Sequence, residues 1–252
     1  MTGTKPLSSF DLPCPVEQLA IFLDFDGTLA DIVDHPDDVH LPGEMIEALD
    51  MLAKRTSGAL AIVTGRPIEQ IDRLLSPLVL PVAGVHGMAR RAFDGKLHTA
   101  DHDPSVFAEV QARMTHLHTE HADTMIEIKP GSIAFHYRRR PDLSETVAEL
   151  VHEALGDLDG IDILHGKMVV EVKTGHANKG SAIRAFMEEP PFADRVAVFA
   201  GDDVTDEFGF QAVAEIGGVA IKIGSGETRA KLRTDTPAEF RDWLAATARD
   251  LA

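Results

Sequence analysis

Residues 19–25 (LAIFLDF) form a short run that is apolar on both faces of a strand except at Asp24, and the run stops at Asp26-Gly27. Such a run reads as a strand buried on both sides, which is the habit of parallel sheets covered by helices. The pattern repeats: residues 43–55 space Met45, Ile46, Leu49 and Leu52 as a helix does, 59–63 is a second apolar strand ending at Thr64-Gly65-Arg66-Pro67, 67–75 is helical, and 79–85 is strand-like up to His86-Gly87. Late in the chain, 179–187 and 207–214 read as helices, 196–200 and 219–223 as strands, and 237–251 as a closing helix. This alternation implies a Rossmann-like α/β core built on a parallel sheet.

The middle of the chain obeys a different rule. Residues 104–118 and 143–155 are amphipathic helices, but 125–129, 133–138, 161–164 and 168–173 tend to alternate apolar with polar residues, and Pro130-Gly131-Ser132 joins the first two as a hairpin. Alternation means one buried face and one polar face. We therefore expect an inserted α+β domain over 91–174 and a core made of 1–90 and 175–252. The first fifteen residues, with Pro6, Pro13 and Pro15, read as a loosely held tail.

Composition narrows the partners. The chain has 24 Lys+Arg against 41 Asp+Glu, a formal charge of −17, which disfavours nucleic acid and anionic membranes in bulk. A single cysteine excludes an internal disulfide, and no apolar stretch is long enough for a membrane span, so a cytoplasmic location is expected. Oligomeric state is not legible.

Ligands of open parallel sheets bind beyond the carboxyl ends of the strands. There the chain places Asp24 and Asp26 with Thr28, Thr64 with Arg66, and Asp202, Asp203 and Asp206, while Lys179 opens a helix on the same side. Several carboxylates at one point demand a hard cation, and Mg²⁺ suits an all-oxygen donor set with a phosphate. A carboxylate can also act as a nucleophile, so phosphoryl transfer through an aspartyl-phosphate is the chemistry this set suggests. On the inserted domain, alternation assigns Ile126, Ile128, Ile133, Phe135, Tyr137, Met168, Val170 and Val172 to the core. It assigns Glu127, Lys129, His136, Arg138, Glu171 and Lys173 to the polar face, a mixture suited to a polyhydroxylated ligand.

DFDGT (24–28), Thr64, Lys179 and GDDVTDE (201–207) stand in the order of the four motifs of the haloacid dehalogenase (HAD) superfamily of phosphatases. Within it, GVHG (84–87), IEIKPGSIAFHYR (126–138) and VVEVKTGHANKG (169–180) resemble the trehalose-phosphate phosphatase family. The resemblance implies a HAD core with a cap domain and a magnesium-dependent phosphatase of a sugar phosphate. Asp24 would be nucleophile and metal ligand. Asp26 would be acid and base, with its backbone carbonyl on the metal. Asp202 would complete the ligands, with Asp203 and Asp206 supporting them, and Thr64 and Lys179 would hold the phosphate. Arg66, His86, Gly87, Glu127, Lys129, Arg138 and Glu171 form the expected substrate-contacting set. Two alternatives stay open: a phosphatase of another sugar phosphate, such as sucrose phosphate or a glycosyl-phosphoglycerate, and a receiver-type phospho-accepting module.

Overall fold

A computed structural model describes residues 5–7, 12–33, 38–166 and 168–249. The chain divides into two compact units, one of residues 1–98 with 178–252 and one of 99–177. The larger unit holds strands β1 (Lys5–Pro6), β2 (Leu19–Leu23), β3 (Leu60–Val63), β4 (Val82–Gly84) and β5 (Ala89–Arg91), with β6 (Leu97–Thr99) at the boundary, and helices α1 (Gly43–Arg55) and α2 (Ile68–Leu75). The smaller unit holds α3 (Pro104–Glu120), β7 (Met125–Lys129), β8 (Ser132–His136), α4 (Val147–Leu155), β9 (Ile161–Gly166) and β10 (Val169–Thr174). The chain then returns through α5 (Lys179–Met187), β11 (Val196–Gly201), α6 (Glu207–Glu215), β12 (Val219–Ile223), β13 (Leu232–Thr234) and α7 (Pro237–Arg249).

The large sheet has nine strands in the order β1-β13-β12-β11-β2-β3-β4-β5-β6. Pairing is parallel from β1 through β4, and β5 turns antiparallel onto β4. Each central strand feeds two cores. Leu19, Ile21 and Leu23 of β2 pack with Leu49 and Leu52 of α1, Ile71 of α2 and Phe240 and Leu244 of α7. Ala20 and Phe22 pack with Ile183 and Phe186 of α5 and Phe210 and Val213 of α6. Burying a Leu, Ile or Phe side chain in this way stabilises by about 1.5–3 kcal/mol relative to exposure, which is why this strand tolerates no polar residue before Asp24.

Strand β2 is central: the chain runs outward from it through β3 and β4, then returns to its other side through β11 and β12. That reversal creates a switch point at the carboxyl ends of β2, β3 and β11, where a doubly wound sheet opens a crevice.

The smaller unit is a four-stranded antiparallel sheet, β7-β8-β10-β9. Helices α3 and α4 cover one face through Val110, Met114, Val147, Val151 and Leu155 against Ile133, Phe135, Val170 and Val172. Pro130-Gly131 forms the β7–β8 turn, with Gly131 at φ +66.

Several expectations are corrected. Residues 89–99 join the large sheet as a hairpin rather than opening the inserted unit, because β5 pairs with β4. Of the expected tail, 1–4 and 8–11 lie outside the described residues, as does 250–251 of the closing helix, while Lys5–Pro6 pairs with β13. Residues 141–145 form a 3-10 turn before α4. Ile128 is 54% exposed: its strand lies at the sheet edge, where no neighbour covers it. Strand β8 ends at His136, so Arg138 is carried by an exposed turn and not by the alternating face. Among the described residues no helix is long and apolar enough to cross a membrane.

Candidate active site

The three strands that end at the switch point deliver the acidic residues. Strand β2 continues its pairing one residue further, Asp24 N–H donating to the Ala200 carbonyl at 2.9 Å, and then folds back as the N–H groups of Leu29 and Ala30 both bond the Phe25 carbonyl. Gly27 sits in this turn at φ +78, and a Cβ on it would lie 2.1 Å from Asp202 Oδ2. Glycine is required because the Asp202 carboxylate occupies the place of a side chain. Gly201, ending β11, is constrained in the same way: a Cβ there would lie 2.3 Å from the Asp206 carboxyl carbon. The glycines of both motifs therefore let acidic groups close on the end of β2.

Lys179 is the first residue of α5, whose start is fixed by a reciprocal Asn178–Ser181 cap with both bonds at 3.0 Å. Its ammonium donates to Asp24 Oδ1 and to Asp206 Oδ1, each at 2.7 Å. Lys179 and Asp206 are almost wholly buried, as is Asp24. Burial pushes the Asp24 carboxyl well above the ordinary range, with the neighbouring Asp206 and Asp202 adding to the effect against Lys179. Asp202 is pushed up to about 6 for the same first reason, with Asp206 next. Burial opposes the Lys179 charge, but Asp206 and Asp24 outweigh it and hold the ammonium more firmly than usual.

Ligand atoms of Asp24, Asp202 and Asp206 lie within 4.8 Å of one another. Asp206 is already engaged, by Lys179 through Oδ1 and by the Asp203 N–H through Oδ2 at 2.9 Å. Asp202 Oδ1 is buried without a hydrogen-bond partner. A desolvated, unpaired carboxylate oxygen beside a second carboxylate fits a hard divalent cation, whose charge would satisfy both. Asp24 and Asp202 are the side chains available to hold one, while Asp206 is tied to Lys179 and to the Asp203 N–H. Asp203 is exposed, and its N–H ties the turn to Asp206.

Thr64, at the end of β3, is buried, and its hydroxyl accepts from the Arg66 N–H at 3.1 Å. The Arg66 side chain grips Asp26 with both arms, Nε to Oδ2 at 2.6 Å and Nη2 to Oδ1 at 2.7 Å, and lies over Phe25. His86 and Gly87 form a turn next to this loop. A further cation was not anticipated: Lys222 is buried in β12, and its ammonium donates to the Asp202 backbone carbonyl. A lysine inside the apolar run VAIKI was the available signal, since a strand buried on both faces admits one only with a partner.

The smaller unit carries its own polar cluster on the face opposite its helices. Lys129 Nζ lies 3.6 Å from Glu127 and 3.5 Å from Glu171, His136 Nε2 is 3.1 Å from Glu127, and Ser132 donates to Glu171. The hydrogen bond from His136 holds the Glu127 carboxyl below its usual range. Lys173 turns away from this group and donates to the Ala177 carbonyl at 2.6 Å.

Comparison with known proteins agrees with this geometry. The trehalose-phosphatase family model matches residues 22–238. A probable trehalose-phosphate phosphatase of Sinorhizobium fredii is 43% identical over 84% of this chain and 80% of its own. A trehalose-6-phosphate phosphatase of Escherichia coli is 36% identical over 96% of this chain and 90% of its own. In fold, the C-terminal domain of Candida albicans trehalose-6-phosphate phosphatase superposes with a TM-score of 0.80 at 22% identity, covering 93% of each chain. The chain belongs to the trehalose-phosphatase family.

Proposed function

We propose that the protein hydrolyses trehalose 6-phosphate to trehalose and inorganic phosphate, with Mg²⁺ as its cation, and that it does so in the cytoplasm. The observation that carries this reading is the buried Lys179 bridging Asp24 and Asp206 at 2.7 Å each, beside the unpartnered oxygen of Asp202. A carboxylate oxygen of Asp24 is the attacking atom. It forms a bond to phosphorus as the bond from phosphorus to the sugar 6-oxygen breaks, and Asp26 gives that oxygen a proton. The resulting aspartyl-phosphate is then attacked by a water whose proton returns to Asp26, releasing phosphate and restoring Asp24.

When bound, the cation neutralises the phosphoryl oxygens and the carboxylates around them. Lys179 and the Thr64 hydroxyl hold the phosphate. Both oxygens of Asp26 accept from Arg66, so one must leave the guanidinium and take up a proton before Asp26 can give it to the leaving oxygen. We assign recognition of the sugar hydroxyls to Glu127, Lys129 and Glu171 of the smaller unit, where carboxylates accept and an ammonium donates. Its role as a cap rests on this assignment.

The test is release of inorganic phosphate from trehalose 6-phosphate, sucrose 6-phosphate, glucose 6-phosphate and a glucosyl-phosphoglycerate in the presence of Mg²⁺. Trehalose 6-phosphate is expected to show the highest kcat/KM; a higher value for any other member overturns the assignment. Repeated turnover also separates an enzyme from a receiver module, which would take up a single equivalent.

A further inference from the structure

Three consecutive residues in the larger unit take a backbone conformation that side chains resist. Val85 and His86 stand at φ +49 and +53, and Gly87 follows at φ +99. In this left-handed region Cβ crowds the following carbonyl, most severely for a β-branched residue, so such a turn persists only where its surroundings impose it. The surroundings here are two loops of the site. On one side, Val85 N–H donates to the Arg66 carbonyl at 3.1 Å and His86 N–H to the Thr64 carbonyl at 2.9 Å. The imidazole lies on Gly65, where a Cβ would come within 2.6 Å of Nε2. On the other side, a Cβ on Gly87 would lie 2.6 Å from the carbonyl oxygen of Asn178, the residue that caps α5 in front of Lys179.

We propose that the turn 85–87 is a clamp that fixes the Thr64 loop against the start of the Lys179 helix. In this role His86 is a positioning residue, needed for its left-handed backbone and not for the chemistry of its ring. The proposal rests on the reading of Thr64 and Lys179 as the groups that hold phosphate. The physical logic is bistability: a residue that prefers a relaxed turn lowers the fraction of molecules in which both groups face one phosphate, and apparent affinity falls with that fraction.

Glycine and alanine at position 86 both remove the imidazole and differ mainly in tolerance of positive φ, a difference corresponding to about 5- to 30-fold in population. The experiment compares His86→Gly with His86→Ala for inhibition by inorganic phosphate and for kcat/KM, with unfolding midpoints measured alongside. The clamp predicts that the glycine variant exceeds the alanine variant by at least about fivefold in both phosphate affinity and kcat/KM. Equal losses in the two variants assign the function to the ring and overturn the proposal. A difference in unfolding midpoint without one in phosphate affinity reduces the turn to a structural role and also overturns it. Should alanine prevent folding, Val85→Gly against Val85→Ala supplies the same comparison at the neighbouring left-handed residue. Failure of the underlying reading looks different: Thr64→Ala and Lys179→Ala would then leave phosphate affinity at the wild-type value.

Discussion

Two lysines in this protein each stand between two carboxylates, and they are built differently. Lys179 meets Asp24 and Asp206 at 2.7 Å each, with all three side chains almost out of solvent. Lys129 meets Glu127 and Glu171 at 3.6 and 3.5 Å, and the Glu127 side chain is 33% exposed. The first trio sits at the end of a strand buried on both faces, where position is dictated by packing on two sides. The second sits on the helix-free face of an antiparallel sheet, where Lys129 and Glu171 are mostly buried but Glu127 is partly exposed and the looser contacts can rearrange to meet a ligand. Making and breaking a bond to phosphorus requires the fixed arrangement, whereas recognising sugar hydroxyls tolerates the adaptable one.

This contrast orders the expected effects. Lys179→Met leaves Asp24 and Asp206 buried without their shared cation. Activity should fall by about 10³-fold or more, and stability by about 3–5 kcal/mol, measured by phosphate release and denaturant unfolding. Lys129→Met should leave kcat nearly unchanged and cost less stability than Lys179→Met, since Glu127 keeps its contact with His136 and Glu171 its hydrogen bond from Ser132; an equal loss there would erase the distinction between the two trios.

The next effect concerns pH. The Asp202 carboxyl is pushed up to about 6 and Asp24 is also raised, both by burial. Because the folded values lie above the unfolded ones, both groups stabilise most at about pH 4 and below; the Asp202 contribution is lost as pH rises through about 6, and that of Asp24 is lost in the same direction as it ionises. The metal-free protein should therefore lose thermal stability over that interval as these groups ionise. Added Mg²⁺ should restore more of the melting temperature at pH 7 than at pH 5, and a restoration independent of pH would remove these carboxylates from the metal site. The smallest effects belong to the smaller unit: Glu127→Gln and Glu171→Gln should each raise KM for the sugar phosphate by about tenfold with kcat little changed, read from steady-state kinetics.

The same contrast explains what could be read from the chain. Helices over 43–55 and 179–187 and the strand over 219–223 are visible residue by residue because their apolar spacing fills a whole window. Strands β1, β5, β6 and β13 escape because two or three residues carry no period, and their pairing depends on strands distant in sequence. The meeting of Asp24, Asp202, Asp206 and Lys179 was legible because each follows or opens an element whose end the pattern marks. The grip of Arg66 on Asp26, across 40 positions, was not, since spacing within a motif says nothing of where a long side chain finds its partner. The facing of Arg138 was misread for a local reason: the alternation that placed it continues in the letters after the strand itself has stopped at His136.

The proposed mechanism turns on Asp24 as the group that carries the phosphoryl moiety. The direct test is acid quenching during turnover of a substrate labelled with ³²P, followed by peptide mapping. Alkali-labile label is expected on the peptide containing Asp24, none in Asp24→Asn, and accumulated label in Asp26→Asn when the leaving group needs no proton, as with p-nitrophenyl phosphate. Turnover without any protein-bound label, or label on another residue, would contradict it.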